Sequence, residues 1–213
     1  MQTAVQLANT YNSVVTIGIT PDRPATGYGY IQVDGVVEAT KKVKSFKVKT
    51  FAEKPNLATA QRFLESGDFF WNSGIFIFKT SVILEKIKEH LPDLHESLSE
   101  IKNFMDDSKL DKVIHKVYQQ IKDVSIDYGI MEKLNDVCMV EGKFGWNDLG
   151  SWEQVYKLSE TDENNNYSNG NTILLNTRNS YIRTDDNGLI AVIGVDDVAV
   201  VKEGDAVLVC KMD

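Results

Sequence analysis

Residues 13–20 read SVVTIGIT, an unbroken run of apolar and β-branched side chains with only small residues between them. A strand wetted on one face alternates apolar with polar, whereas a continuous run predicts a strand buried on both faces. Such a strand needs covering layers on either side, and the rest of the chain supplies candidates. YGYIQVDG (28–35) alternates like a strand ending in an Asp-Gly turn, and Val43, Phe46, Val48 and Phe51 continue the pattern until Pro55. Asn56 is placed to cap a helix over LATAQRFLES that ends at Gly67. FFWNSGIFIF (69–78) predicts a strand with a glycine inside it, and VCMVEGKF another. From Thr80, Ile83, Ile87, Leu91, Leu94, Leu98 and Ile101 recur at helical spacing. Leu110, Val113, Ile114, Val117 and Ile121 do the same in a second helix, and Val5 and Ala8 mark one face of a helix near the start. The pattern predicts an α/β chain.

The texture changes after about residue 162. TDENNNYSNGN reads as a turn-rich linker, and beyond it lies a series of short β-like pieces: TILLN, SYIRT, LIAVIGV, VAVV and AVLVC. Their separators DDNG, DD and KEGD are turn signals. The expected organisation is therefore an α/β part over residues 1–162 and an all-β appendage over 163–213. The chain halts at CKMD directly after a strand and begins as abruptly, so both ends read as cut.

Composition removes several function classes. A net charge of -8 carries no electrostatic footprint for nucleic acid or an anionic membrane. No apolar run approaches the roughly 20 residues of a membrane span, and MQTAVQLANTYNS lacks the features of a signal peptide. The two cysteines, Cys138 and Cys210, each sit in a short apolar run and form no CxxC pair, which suits buried thiols in a cytoplasmic protein. His90, His95 and His115 fall in the helical segments without i, i+4 pairing, so they read as surface or helix-end residues rather than metal ligands.

Several short stretches place polar groups where chemistry needs them, and each admits a plainer reading. Gly27 and Gly29 at the lip of a strand either serve a turn or let a ligand approach the backbone. In FAEKP, Glu53 and Lys54 end a strand; strand alternation points them opposite ways, so they are not expected to pair. They are either a solvated strand end or an acceptor for hydroxyls beside a cation for phosphate. Asn72 in WNSGIF must find hydrogen-bond partners, structural or from a ligand. In SIDYGIMEK, either Ser125 or Asp127 would cap a short helix. Asp148 in GWNDLGSW is an N-cap in competition with Ser151, or a magnesium ligand at the end of an apolar strand.

Taken in order, TGYGYI, F-EKP, WNSGIF, SIDYGIMEK and GWNDLGSW resemble the mannose-1-phosphate guanylyltransferase family of sugar nucleotidyltransferases, over nearly the whole chain. The resemblance implies a Rossmann-like nucleotidyltransferase domain, here partial, followed by a left-handed β-helix. It implies transfer of GMP from GTP to mannose 1-phosphate, giving GDP-mannose and pyrophosphate. By that resemblance the backbone at Gly29 approaches the sugar, Glu53 accepts from its hydroxyls and Lys54 binds its phosphate. Asn72 and Asp127 add sugar contacts, and Asp148 is a ligand for Mg2+; Lys54 and Asp148 are the catalytic pair.

The family's glycine-rich G-G-x-G-x-R loop, and the acidic metal ligand after it, are not found before Gly27. The chain is thus expected to hold the sugar half of a catalytic domain and to make no GDP-mannose alone. A parallel sheet lacking its first strands would leave edges open, which predicts a homo-oligomer. The alternatives are a non-catalytic sugar-phosphate-binding or assembly module, and a related transferase with another sugar or base.

Overall fold

The computed structural model describes residues 1–39, 43–185 and 188–212. They divide into two compact units, Met1–Trp146 and Asn147–Asp213.

In the first unit five strands form a closed ring of pairings: β1 (Val15–Ile19), β2 (Tyr30–Ala39), β3 (Lys44–Ala52), β4 (Phe69–Ile77) and β5 (Cys138–Gly142), in the order β1-β4-β2-β3-β5 and back to β1. Only β1 and β5 pair in parallel; the other pairings are antiparallel. Every strand therefore has a neighbour on both sides, contrary to the expected open parallel edges. No edge of that kind is left open in this unit among the described residues. The continuous run at β1 is explained as anticipated: all five of its residues are buried, because β4 and β5 flank it and both faces are covered.

Alternation sorts the strand side chains onto two cores. Ile17, Tyr30, Trp71 and Val140 face one cluster, closed by Leu7 and Ala8 of α1 (Gln2–Tyr11) and Ala60 of α2 (Leu57–Ser66). Ile31, Val48, Phe70 and Met139 face the other, closed by Val82 and Ile83 of α3 (Thr80–His90) and by Met131. Each such fully buried aliphatic or aromatic side chain stabilises the fold by about 1.5–3 kcal/mol relative to exposure. In α1 the buried face is Ala4, Leu7 and Ala8, while Val5 is exposed.

Local signals act largely as the sequence predicts, with informative exceptions. Asn56 Oδ1 accepts from the Thr59 amide at 2.9 Å, and α2 ends at Gly67 in the left-handed region. The Asp34-Gly35 pair is not a turn: β2 runs on to Ala39, and the register against β3 slips between Asp34 and Val36, with Gly35 at φ 63°. That is a β-bulge, for which a left-handed glycine serves as well as it serves a hairpin. The apolar repeat from Thr80 is broken into α3 and α4 (Pro92–Lys102), because Pro92 disfavours helical geometry at Leu91, which adopts φ −136°. α5 (Leu110–Tyr118) packs on α4, and Ser125 caps α6 (Ile126–Gly129). A 3₁₀ turn, Met131–Lys133, comes next.

The second unit opens with α7 (Trp152–Lys157) and continues as β6 (Tyr167–Asn169), β7 (Thr172–Leu175), β8 (Tyr181–Thr184), β9 (Ile190–Ile193), β10 (Val198–Glu203) and β11 (Ala206–Lys211). β6, β8 and β10 lie parallel in one sheet, and β7 and β9 lie parallel in another. Successive strands thus alternate between two sheets, the topology of a β-helix. Ile182, Val192 and Val200 fill its interior, and Tyr167 stacks on Tyr181 with ring centroids 4.7 Å apart. The segment expected to be a linker holds β6 and a built turn, in which Asp162 Oδ1 accepts from the amides of Asn164 and Asn166. The DDNG turn signal falls partly on residues outside the described ones. β11 returns antiparallel along β10 and leaves Val207, Leu208 and Val209 exposed.

Candidate functional site

Strand register assembles the site. Tyr30 of β2 pairs with Ala52 of β3 on one side and with Trp71 of β4 on the other. In antiparallel pairs the residue before Tyr30 must stand beside the residues after its partners, so Gly29 meets Glu53 and Asn72. The Asn72 amide donates to the Gly29 carbonyl at 2.8 Å. Gly29 does not have a positive φ. Its lack of a side chain is used differently: a Cβ there would collide with Glu53 Oε2. The carboxylate of Glu53 lies over the glycine, whereas a Cβ on Gly27 would meet nothing.

Glu53 is mostly buried, with 17% of its side chain exposed, and Lys54 stays in solvent. Lys54 Nζ lies 3.7 Å from Glu53 Oε1, so the two do pair, against the expectation from strand alternation. The reason is that β3 ends at Ala52 and Lys54 turns into the left-handed region at φ 45° ahead of Pro55. A non-glycine residue held there costs about 1–3 kcal/mol and persists only where its surroundings enforce it. The pair itself, at that distance and exposure, stabilises little.

Asp127 reaches the same place from α6. Its Oδ1 accepts from Asn72 Nδ2 at 2.8 Å, and Asn72 Oδ1 in turn accepts from the Gly74 amide at 3.1 Å. Ser125 is the cap of that helix, accepting from the Tyr128 amide, which frees Asp127 from capping. Burial, and then the charge of Asp127, hold Glu53 above the ordinary carboxylate range; Lys54 opposes this, and Glu132 adds to it. Gly29, Glu53, Lys54, Asn72 and Asp127 are therefore brought together. Glu132, unremarked in the sequence although it sits inside SIDYGIMEK, joins their electrostatic neighbourhood. The result is a set of hydroxyl acceptors with the exposed Lys54 ammonium beside them, chemistry suited to a polyol carrying an anionic group.

Next to this cluster in sequence lies a second feature that the sequence did not signal. Arg23 donates to Asp22 Oδ1 and to the Tyr28 hydroxyl, and its guanidinium lies 5.0 Å from the Trp71 ring centroid. Tyr28 also packs edge-on against Trp71 and Trp146. Together with the Tyr30 hydroxyl, which donates to the Ala25 carbonyl at 2.9 Å, these contacts fasten the loop that leads into Gly29. A separate cavity of about 280 Å³ lies where Leu91, Leu94, Ile121 and Val124 meet.

Asp148 belongs to the second unit. Ser151, not Asp148, caps α7, accepting from the Gln154 amide. Asp148 is exposed, and its Oδ1 accepts a long 3.3 Å bond from the Gly150 amide, in a turn that sets Leu149 at φ 51°. No group of three or more His, Cys, Asp or Glu side chains among the described residues is arranged to hold a metal ion. A single exposed carboxylate still matches the way magnesium is bound with phosphates, through one or two protein oxygens with phosphate and water completing the shell.

With this fold and site in view, the comparisons with known proteins are specific. A nucleotidyl transferase family model matches residues 1–165, and a MannoseP isomerase/GMP-like beta-helix domain model matches residues 170–213. The chain belongs to the nucleotidyl transferase family. Its relatives include a mannose-1-phosphate guanylyltransferase of Escherichia coli, 35% identical over 100% of this chain and 46% of that protein. Another of that name, from Salmonella montevideo, is 39% identical over 92% of this chain and 42% of its own length. The chain thus spans less than half the length of these relatives. Among solved structures, one from Thermus thermophilus, described as a mannose-1-phosphate geranyltransferase, superposes with a TM-score of 0.76 at 32% identity. It covers 99% of this chain and 59% of that one. No helix among the described residues is long and apolar enough to cross a membrane.

Proposed function

We propose that this chain supplies the sugar-phosphate site of an enzyme that transfers GMP from GTP to mannose 1-phosphate, releasing pyrophosphate, in the cytoplasm. The observation that carries the reading is the convergence of Glu53, Lys54, Asn72 and Asp127 around Gly29, in a family whose named relatives act on mannose 1-phosphate. In the reaction a phosphate oxygen of mannose 1-phosphate forms a bond to the α-phosphorus of GTP, and the bond from that phosphorus to the β-phosphate oxygen breaks. A phosphate dianion is already a nucleophile near neutral pH, so no general base is required. The chain's own part is to hold the sugar and aim its phosphate, which converts an encounter of two anions into an oriented one. Glu53 and Asp127 accept from sugar hydroxyls, and Lys54 turns from Glu53 to the phosphate. Mg2+, when bound, offsets charge on the phosphates, and Asp148 is the residue of this chain offered to it.

Calorimetric titration of the chain with mannose 1-phosphate tests this. Lys54→Ala should weaken binding about ten-fold, the lower end for a charge-assisted hydrogen bond because Lys54 is exposed before binding. Equal affinity for mannose 1-phosphate and for unphosphorylated mannose, or no effect of Lys54→Ala, would refute the assignment. With nucleotide present, Asp148→Asn should shift magnesium titrations to higher concentration.

A further inference from the structure

The apolar repeat that starts at Thr80 breaks at Pro92, and the break leaves space. Leu91 adopts φ −136° instead of helical geometry, so α3 and α4 are separate rods. Two ion pairs set how the chain returns to this point. Lys116 Nζ lies 3.1 Å from Glu100 Oε1, and Lys122 Nζ lies 3.7 Å from Asp93 Oδ2. Residue numbers rise along α4 as they fall along the partner segment, so α5 and the residues after it run antiparallel to α4. Residues 119–124 are thereby laid beside the start of α4, and the cavity of about 280 Å³ opens there between the apolar surfaces of Leu91, Leu94, Ile121 and Val124.

The wall of this cavity is also the seat of α6. A Cβ on Gly129 would stand 3.0 Å from Leu91 Cδ1 and 3.0 Å from Val124 Cγ1. The helix that carries Asp127 therefore lies with bare backbone against two cavity-lining side chains, without slack between them. Val124 runs straight into Ser125, the cap of α6. Leu91 and Ile126 pack on the same core as Ile130 and Met131. A close-packed interior of this kind passes a displaced wall on to its neighbour.

We propose that the cavity is an effector site for a small, uncharged, mainly apolar compound carrying one hydroxyl, and that its occupancy is felt at Asp127. Only the consequence for sugar phosphate rests on the proposed function. The size suits one substituted ring, since a cavity of roughly 150 Å³ lined by aliphatic and aromatic side chains holds benzene. Charge selects a neutral compound: Asp93 and Lys122 answer each other, and His90 Nε2 faces Glu89 Oε1 at 3.7 Å. Ser97 selects the hydroxyl. Its Oγ donates to the Asp93 carbonyl at 2.9 Å, so toward a ligand it only accepts, and the ligand supplies the proton. A compound seated there presses Leu91 and Val124 toward Gly129 and tilts α6, which draws the Asp127 carboxylate from its place beside Asn72. By linkage, effector and sugar phosphate then weaken each other's binding by the same factor.

Phenol is the probe and benzoate the charged control, each titrated into the full chain and followed by NMR. Phenol should give saturable shifts at the methyls of Leu91, Leu94, Ile121 and Val124. In the same titration, without sugar, the Asn72 carboxamide resonances should move, because Asp127 is their partner. Absent or unsaturable methyl shifts, or equal shifts with benzoate, would overturn the site. Methyl shifts with a still Asn72 would overturn the link to Asp127. Resonances that move with protein concentration instead would give the cavity to a second copy of the chain, and so overturn the proposal. Calorimetry reads the coupling: saturating phenol should weaken mannose 1-phosphate binding about five-fold or more. Unchanged affinity would refute the coupling. A chain that binds no mannose 1-phosphate even without phenol refutes the sugar-site reading, while the Asn72 shift still decides the effector site. Leu94→Trp fills the cavity from within, and should abolish the phenol shifts while reproducing the weakened sugar-phosphate binding. Ser97→Ala is the milder variant, expected to weaken phenol about two- to ten-fold and leave mannose 1-phosphate binding alone. Phenol affinity indifferent to Ser97→Ala would overturn the assigned hydroxyl contact.

Discussion

Replacing Gly29 with alanine separates the stability of the fold from the geometry of the site. The backbone at Gly29 is not in the left-handed region, so alanine meets no conformational penalty there. Loss of chain entropy in the unfolded state by itself favours alanine by about 0.4–1 kcal/mol. For a chain of this size that is a rise in Tm of roughly 2–4 °C for each kcal/mol. The new Cβ sits 3.4 Å from the Asn72 Cβ, an ordinary contact, but it overlaps Glu53 Oε2. That atom is the end of a side chain with several rotatable bonds, so the cheapest response is for the carboxylate to leave. Glu53 then loses its desolvated seat beside Asp127, and the causes that raise its pKa are removed together. The expected phenotype is an unchanged or slightly higher Tm, a Glu53 pKa lowered toward the ordinary value, and mannose 1-phosphate binding weakened about ten- to a hundred-fold. Thermal melting, carbon-detected titration of the Glu53 carboxyl and calorimetry read the three. A Tm lowered by several degrees with Glu53 still perturbed would show that the glycine serves the backbone instead.

The same geometry sets other outcomes. Because the folded state raises the Glu53 pKa, its ionised form opposes folding above the ordinary carboxylate range; Glu53→Gln should therefore raise Tm at pH 7, and the gain should vanish as pH falls below about 4.3. A Tm difference that is constant with pH would contradict this. Ser151→Ala should cost about 1 kcal/mol in denaturant unfolding through loss of the α7 cap, while Asp148→Ala should cost no more than a few tenths. A larger cost for Asp148→Ala would make that carboxylate structural.

The parts of the fold that the sequence made legible are those set by local chemistry. The buried run of β1, the Asn56 and Gly67 boundaries of α2 and the β pieces after residue 170 each carry their own signal within a few residues. What the sequence left hidden depends on partners far along the chain. That β5 would close the ring against β1 cannot be read from either strand, since an apolar run fits a parallel or an antiparallel neighbour equally well. The Asp34-Gly35 pair shows the same limit on a smaller scale: a left-handed glycine suits a hairpin and a bulge alike, and only the pairing of β2 with β3 past it decides.

The site divides along the same line. Its residue types were visible in FAEKP, WNSGIF and SIDYGIMEK, but the alternation rule separated Glu53 from Lys54, because the rule holds only while the strand lasts. The chain leaves β3 at Ala52, and two residues later the left-handed turn at Lys54 brings the ammonium back toward the carboxylate. Gly29 is the converse case. Its absent side chain could be read as room for a ligand or as a turn, yet the atom nearest to that space belongs to the chain itself. The glycine seats Glu53, the acceptor that the proposed function turns to the sugar. A position that reads in sequence as room for a ligand also seats a carboxylate of the chain itself. Acceptors held this way are fixed before the ligand arrives, so binding need not order them, and the free energy otherwise spent on ordering remains in the affinity.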